Sequence, residues 1–295
     1  MLTVDESEAN QKLLQYLQRK LPGVPRSALL RCVRKGQVRV DGKRCKPFQR
    51  IEAGQAVRIP PPMLREAAGR EEAPEAGLEV KVVHETEDVL VIAKPAGLPA
   101  HGGKGHDDSA VRRVRAMRPG PFAPTPVHRL DKSTSGLLAF AKSYDGLRRL
   151  QEAFQSGKAG KWYLAWIAGA WPHGGRVELL DYLDQRGAEG RERVHVVSRQ
   201  AEGARKAVSL ASLIQQSEAA SLVEVELLTG RKHQIRAQFA SRGHPLLGDG
   251  KYGGPACRQG LLLHAWRLAL PGEPELRLPP PWRGKYAPPD ELLSD

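Results

Sequence analysis

At 295 residues the chain is long enough for one large domain plus a small one, each with its own core. Apolar residues make up 40% and charged residues 27% of it, a globular balance, and no apolar run approaches the roughly 20 residues that cross a bilayer, which argues against a membrane partner. The net charge of +13 and a pI near 9.9 point to a polyanion, with nucleic acid the default; the plainer alternative is a basic but ordinary enzyme.

The opening stretch, MLTVDESEANQK, is acidic and polar and does not read as a signal peptide. Cys32, Cys45 and Cys257 lie far apart. They fit free thiols in a reducing cytoplasm, not a disulfide frame or a zinc site. From Met1 to Pro62 there are 13 Lys plus Arg against 5 Asp plus Glu, so +8 of the charge sits in a small part of the chain. Leu13, Leu14, Leu17 and Leu21 have helical spacing, and Pro22-Gly23 predicts the stop. A second helix is expected after Pro25 and ends at Gly36. Leu29, Leu30 and Val33 form its apolar stripe, leaving Arg26, Arg34 and Lys35 to solvent. Val38 and Val40 alternate ahead of Asp41-Gly42, a hairpin signal, and GQAVRIPP gives another short strand.

Two small helices and a hairpin on a basic background resemble the S4 RNA-binding domain, through GVPRSALLRCVRKGQVRVDGKRCKP and IEAGQAVRIP. The resemblance implies that Arg26, Arg31, Arg34, Lys35 and Lys43 grip RNA phosphates. Such contacts supply affinity and position but little sequence choice. The alternative is a solvated basic face without a partner.

Residues 63–77, rich in Ala, Glu, Gly and Pro, read as a linker between a domain at 1–62 and a second at 78–295. In the second domain, LEVKVVHETEDVLVIAKPAG gives two strands around HETED. A helix with Leu147, Leu150 and Phe154 on one face ends before Gly157. KWYLAWIAG and SLVEVELLTG are strands, and RKHQIRAQFASRG is a helix ending at Gly243. Irregular interleaving of strands and helices predicts an α+β fold with a mixed or antiparallel sheet. The Pro-rich tail, Pro279 to Asp290, should wrap the surface without regular structure.

HRLDKSTSGLL is expected in a turn between a Pro-rich approach and the strand GLLAFAK. A loop carboxylate held by a rigid scaffold suits function. Taken alone, Asp131 reads equally well as a structural residue, with Arg129 and Lys132 as salt partners and Ser133, Thr134 and Ser135 bonding the turn backbone. HRLDKSTSGLLAFAKS, however, resembles the signature of the RluA family of RNA pseudouridine synthases. AKPAGLPAH, KWYLAWIAG, LLTGRKHQIRAQFASRGHPLLGDGKYGG and LLLHAWRL agree in order. The added S4-like domain is similar to the RluC-like subgroup, whose members act on large-subunit ribosomal RNA.

The resemblance implies a cytoplasmic enzyme, expected to be a monomer, that isomerises uridine in 23S ribosomal RNA without cofactor or metal. A non-catalytic RNA-binding or ribosome-assembly factor, or the same chemistry on transfer RNA, are the alternatives. Asp131 matches the catalytic aspartate. The reaction breaks C1′–N1, turns the base and joins C1′ to C5. A carboxylate can serve as nucleophile or as stabiliser of positive charge at C1′. Arg236 matches the basic partner of the aspartate, since a guanidinium favours an ionised carboxylate and fixes its geometry. A phosphate contact is the other reading. Tyr163 matches the tyrosine that packs on the target uracil, against the plainer reading of a half-buried strand tyrosine. Arg129 matches the arginine that fills the space left by the flipped base. Trp162 and Trp166, on the other face of that strand, read as packing. His128, His233 and His264 are assigned structural hydrogen bonds. HGGKG and LGDGKYGG do not fit a nucleotide-binding loop. Lys232 and Ser209, where relatives often have Thr, read as tolerated surface or strand changes.

Overall fold

The structure, a computed structural model, describes residues 1–21, 24–68, 79–102, 108–187 and 193–293. In the N-terminal domain Leu13, Leu14, Tyr16 and Leu17 bury one face of helix α1 (Leu13–Lys20), and Leu29 and Val33 bury one face of α2 (Arg26–Arg34). Both close over a small antiparallel sheet of β1 (Leu2–Thr3), β2 (Arg39–Val40), β3 (Lys43–Arg44) and β4 (Ala56–Arg58), in the order β1-β4-β2-β3. Asp41 and Gly42 both have positive φ, 48° and 74°, the pair that a two-residue hairpin of this twist requires.

The two domains touch. The Arg19 guanidinium lies 4.7 Å from the Phe122 ring and 5.2 Å from the Tyr144 ring. Lys20 Nζ pairs with Glu8 at 2.7 Å and donates to the Pro121 carbonyl at 2.6 Å. The Tyr144 hydroxyl donates to Gln15 Oε1 at 3.2 Å. Helix α3 (Pro61–Ala68) covers the start of the stretch expected to be an irregular linker, because Met63 anchors it to the first core. The rest of that linker, Pro22-Gly23 and most of HGGKG lie outside the described residues.

The second domain is one sheet of 11 strands. Its strands in chain order are β5 (Lys81–Glu85), β6 (Val89–Lys94), β7 (Thr125–Pro126), β8 (Ser135–Ala141), β9 (Gly160–Ala168), β10 (Val177–Arg186), β11 (Arg193–Val197), β12 (Arg205–Gln216), β13 (Ala220–Leu227), β14 (Leu263–Ala269) and β15 (Leu276–Arg277). The main path is β11-β10-β12-β13-β9-β14-β8-β6-β5, with β7 on β8 and β15 on β14. The described pairings are antiparallel except β8 with β14, which is parallel. The fold is α+β with a mixed sheet, as the sequence predicts.

Helices α4 (Ala110–Met117), α5 (Tyr144–Gln155) and α6 (Gln234–Ser241) pack on the sheet. Of the surface and strand readings of Ser209, the strand one holds. The residue is fully buried on β12, and its hydroxyl donates to Gln238 Oε1 at 2.7 Å, tying α6 to the sheet. The tail is mostly irregular but not loose. Trp282 is buried, the Trp166 indole donates to the Tyr286 carbonyl at 3.0 Å, and a last helix, α7 (Asp290–Leu293), follows. Trp162 packs under the Arg267 guanidinium at 4.1 Å, so both tryptophans serve packing. Among the described residues no helix is long and apolar enough to cross a membrane.

Candidate active site

Asp131 sits in the loop between β7 and β8, and the backbone around it is pinned. The Thr134 N–H donates to the Asp131 carbonyl at 3.1 Å and closes the turn. The Gly97 N–H donates to the Lys132 carbonyl at 2.8 Å, joining the loop to the segment after β6. Gly136 has φ +117°, and a Cβ there would lie 2.2 Å from the Ala265 carbonyl oxygen. Glycine is therefore required where β8 runs beside β14. That close approach brings the Asp131 loop beside Tyr163, whose strand β9 pairs with β14 at Tyr163↔Ala265. Ser135 and His264 brace the junction. The Leu278 carbonyl can only accept, so His264 Nε2 carries its proton to it at 2.9 Å, and Nδ1 accepts from the Ser135 hydroxyl at 2.8 Å. Burial pushes this imidazole down to about 4.

Arg236 projects from α6 and is held by a residue that sequence reasoning missed. Its Nε and Nη2 donate to Asp249 Oδ2 and Oδ1, both at 2.7 Å. Its Nη1 lies 3.5 Å from Asp131 Oδ2. One guanidinium thus spends its fork on a fully buried carboxylate and turns its remaining edge to a half-open one. Burial works against the Arg236 charge, but the Asp249 hydrogen bonds and charge outweigh it and hold the guanidinium more firmly ionised. The Asp131 side chain keeps 15% of its surface open while Asp249 keeps 1%, so Asp131 is the carboxylate that a substrate can reach.

His233 makes the structural hydrogen bond expected of it and also lies beside Asp131. It caps α6 with φ 51°, a left-handed conformation few non-glycine residues adopt, and its Nε2 lies 3.8 Å from Asp131 Oδ2. Its Nδ1 is 3.0 Å from the Tyr252 hydroxyl, which also accepts from the Val194 N–H. A proton on Nε2 faces the carboxylate and leaves Nδ1 to accept from Tyr252. Burial is the main cause that pushes the imidazole down to about 4, against the pull of Asp131, so it is neutral at neutral pH.

Lys94 was also missed. Its buried ammonium donates to the carbonyls of Pro95, Leu98 and Lys132 at 2.9, 2.8 and 3.3 Å, tying the end of β6 to the Asp131 loop. Burial pushes it down to about 8, with the Asp131 charge opposing.

Two clefts meet at Asp131. One, of about 270 Å³, is lined by Tyr163, Ile235, Phe154, Leu263 and Arg236. The other, of about 370 Å³, is basic, with Arg129, Lys132, Lys232, Lys251 and Arg236 on its wall. Tyr163 is buried in the first wall, and burial, then the Asp131 charge, pushes its hydroxyl up. It is therefore a neutral ring at the cleft. Arg129 is exposed on the rim of both clefts.

The structure thus brings Asp131, Tyr163, Arg236 and Arg129 together. Arg26, Arg31, Arg34, Lys35 and Lys43 lie on the other domain, all exposed. At about 100° per helical residue, Arg31, Arg34 and Lys35 share one side of α2 and its end, whereas Arg26 lies apart. Among the described residues no His, Cys, Asp and Glu cluster is arranged to hold a metal.

A solvent-reachable carboxylate at the junction of an aromatic cleft and a basic one, on a mixed sheet beside a small basic domain, is an arrangement that suits an enzyme acting on a base within a polyanion. The chain belongs to the RNA pseudouridylate synthase family, whose pattern residues 88–241 match; residues 11–57 match the S4 domain. It is 38% identical over 260 residues to the ribosomal large subunit pseudouridine synthase C of Pasteurella multocida, covering 86% of this chain and 78% of that one. The protein of that name from Escherichia coli (strain K12) is 36% identical over 260 residues, covering 86% and 79%. Among solved structures, human RNA pseudouridylate synthase domain containing 4 aligns with a TM-score of 0.56 at 25% identity, over 68% of this chain and 88% of that one. Human RNA pseudouridylate synthase domain containing 1 shares the fold, with a TM-score of 0.61 at 24% identity over 76% and 96%.

Proposed function

We propose that this chain converts uridines of large-subunit ribosomal RNA to pseudouridine, with Asp131 as the group that acts on the flipped nucleotide. The observation that carries the reading is the Asp131 carboxylate, open to a cleft with an aromatic wall while its arginine partner is locked from behind by Asp249. The relatives named for the ribosomal large subunit support the substrate class.

The flipped uridine enters the cleft and stacks against Tyr163, which repays part of the few kcal/mol spent on unstacking. Arg129 occupies the space that the base leaves. The Asp131 carboxylate then attacks the nucleotide or stabilises positive charge at C1′ as the C1′–N1 bond breaks. The base turns within the cleft, any bond to the carboxylate breaks, and C1′ joins C5; the C5 proton passes to the carboxylate or solvent while N1, freed with its bond pair, takes up a proton from solvent. Atoms balance without a cofactor. Arg31, Arg34, Lys35 and Lys43 supply phosphate contacts on the S4 side. The enzyme works as a cytoplasmic monomer.

Release of tritium from RNA carrying 5-tritiated uridine tests this. The expected result is release from large-subunit RNA and not from transfer RNA. Release from transfer RNA alone would overturn the substrate class, and no release from either would overturn the activity.

A further inference from the structure

Phe48 is the one aromatic residue among those described whose ring stands in solvent, with 54% of its surface exposed; the other phenylalanines, tyrosines and tryptophans are buried or half-buried. An exposed ring adds little to folding, and a single exposed apolar residue is ordinary on any surface. Two further features set this one apart.

Its backbone is fixed. The carbonyls on either side of it, Pro47 and Gln49, accept from the N–H groups of Leu14 and Leu13 at 2.9 Å each, at the start of α1. The Gln49 side chain accepts from the Lys46 N–H at 2.8 Å and closes the turn. The ring is held out by a rigid turn, so an incoming partner orders little on contact. The ring also lines a cleft with two cations, Lys12 and Arg26, together with Gln15 and Gln18. The Lys12 ammonium lies 5.9 Å from the ring centre. A fixed aromatic face flanked by cations and amides is the arrangement that takes an unpaired nucleotide, with the base on the ring and the phosphates on the cations.

We propose that Phe48, with Lys12 and Arg26, is a stacking platform for an unpaired base of the RNA substrate, a subsite separate from the catalytic cleft. The proposal rests on the reading of the chain as an enzyme of RNA. The fold fixes where this base lies. Gln15 of the platform bonds Tyr144, the first residue of α5, while Phe154 and Gln155 at the other end of α5 line the catalytic cleft. At about 1.5 Å per residue the two ends of α5 that border the sites lie roughly 15 Å apart. The platform therefore reads RNA shape, an unpaired position at a set distance from the target, and the salt-dependent grip of the remaining S4 cations stays distinct from it.

The test uses the full chain with two probes, a fluorescein-labelled oligouridylate and a blunt RNA duplex, and the variants Phe48→Leu, Phe48→Tyr and Phe48→Trp. Phe48→Leu is expected to weaken single-strand binding by about 5- to 150-fold while leaving duplex binding and the salt slope unchanged. Phe48→Tyr and Phe48→Trp restore binding. Lys12→Gln and Arg26→Gln each lower the single-strand salt slope by about 0.7. On large-subunit RNA, Phe48→Leu raises KM without changing kcat.

Equal single-strand binding by wild type and Phe48→Leu would overturn the platform, whether or not the ring serves another partner. So would equal loss on the duplex, or failure of Tyr and Trp to rescue. Failure of the activity itself would show separately, as wild-type protein that binds the oligouridylate but releases no tritium.

Discussion

The molecule handles positive charge in two opposite ways. On the N-terminal domain Arg26, Arg31, Arg34, Lys35 and Lys43 stand exposed. In the catalytic domain Arg236 keeps 7% of its side-chain surface and Lys94 is buried, each committed to named acceptors. Exposed charges act through a screened field, so their effect is additive and dissolves in salt. Buried charges act through geometry: each must be answered by a partner, and salt hardly reaches it. On the proposed function, one end of the chain sets affinity and the other sets the chemistry.

The comparison can be broken most sharply at Asp131. Asp131→Ala should abolish tritium release while leaving RNA affinity within about threefold, since one cleft carboxylate gives no phosphate contact. Loss of RNA affinity on the same scale as loss of rate would contradict it. Next in size is Asp249→Asn, which removes the nearer, bidentate countercharge of the buried guanidinium and leaves it Asp131 at 3.5 Å. Chemical denaturation should show about 3–5 kcal/mol less stability, and kcat should fall more than KM rises. Gly136→Ala should destabilise the β8–β14 junction by more than about 3 kcal/mol in the same denaturation measurement, because the methyl group meets backbone that cannot yield.

Smaller effects sharpen the other side. Neutralising Arg31, Arg34, Lys35 and Lys43 singly should raise KM, leave kcat alone, and lower the salt slope of binding by about 0.7–0.9 for each phosphate no longer neutralised. A further effect, on stability alone, is the pH dependence from His264. Its proton affinity is depressed on folding, so the unfolded chain binds the proton first, and stability falls as pH drops from about 6.5 toward about 4. The pH dependence of denaturation midpoints should be shallower in His264→Gln than in wild type across that window, and an unchanged dependence would refute the assignment.

Much of this was legible in the sequence because the signals are local. The α1 and α2 stripes, the Asp41-Gly42 turn, the HETED hairpin and the strand around Tyr163 each declare themselves within a dozen residues. Asp131, Tyr163 and Arg236 were reachable only through resemblance, since nothing local separates a catalytic aspartate from a turn aspartate. Helix α4 escaped notice because Arg112, Arg113 and Arg115 crowd an apolar face of little more than Ala110, Val114 and Met117. Asp249 was missed for a different reason. It sits in the Gly-rich LGDGKYGG, which does not fit a nucleotide-binding loop and carries no other local signal, and its meaning comes from a guanidinium 13 residues earlier that only the folded chain brings within 2.7 Å. Ser209 was left between a surface and a strand change because a serine says nothing of its burial. Its role lies in the Gln238 contact across the sheet.

The most direct test of the division between grip and chemistry is single-turnover tritium release at saturating large-subunit RNA in low salt, run on Asp131→Asn and on a variant with Arg31, Arg34, Lys35 and Lys43 all changed to Gln. No release is predicted from Asp131→Asn although it binds the RNA, and a wild-type rate is predicted from the fourfold variant once the RNA is saturating. A slowed rate at saturation in the fourfold variant, or measurable turnover by Asp131→Asn, would contradict that division.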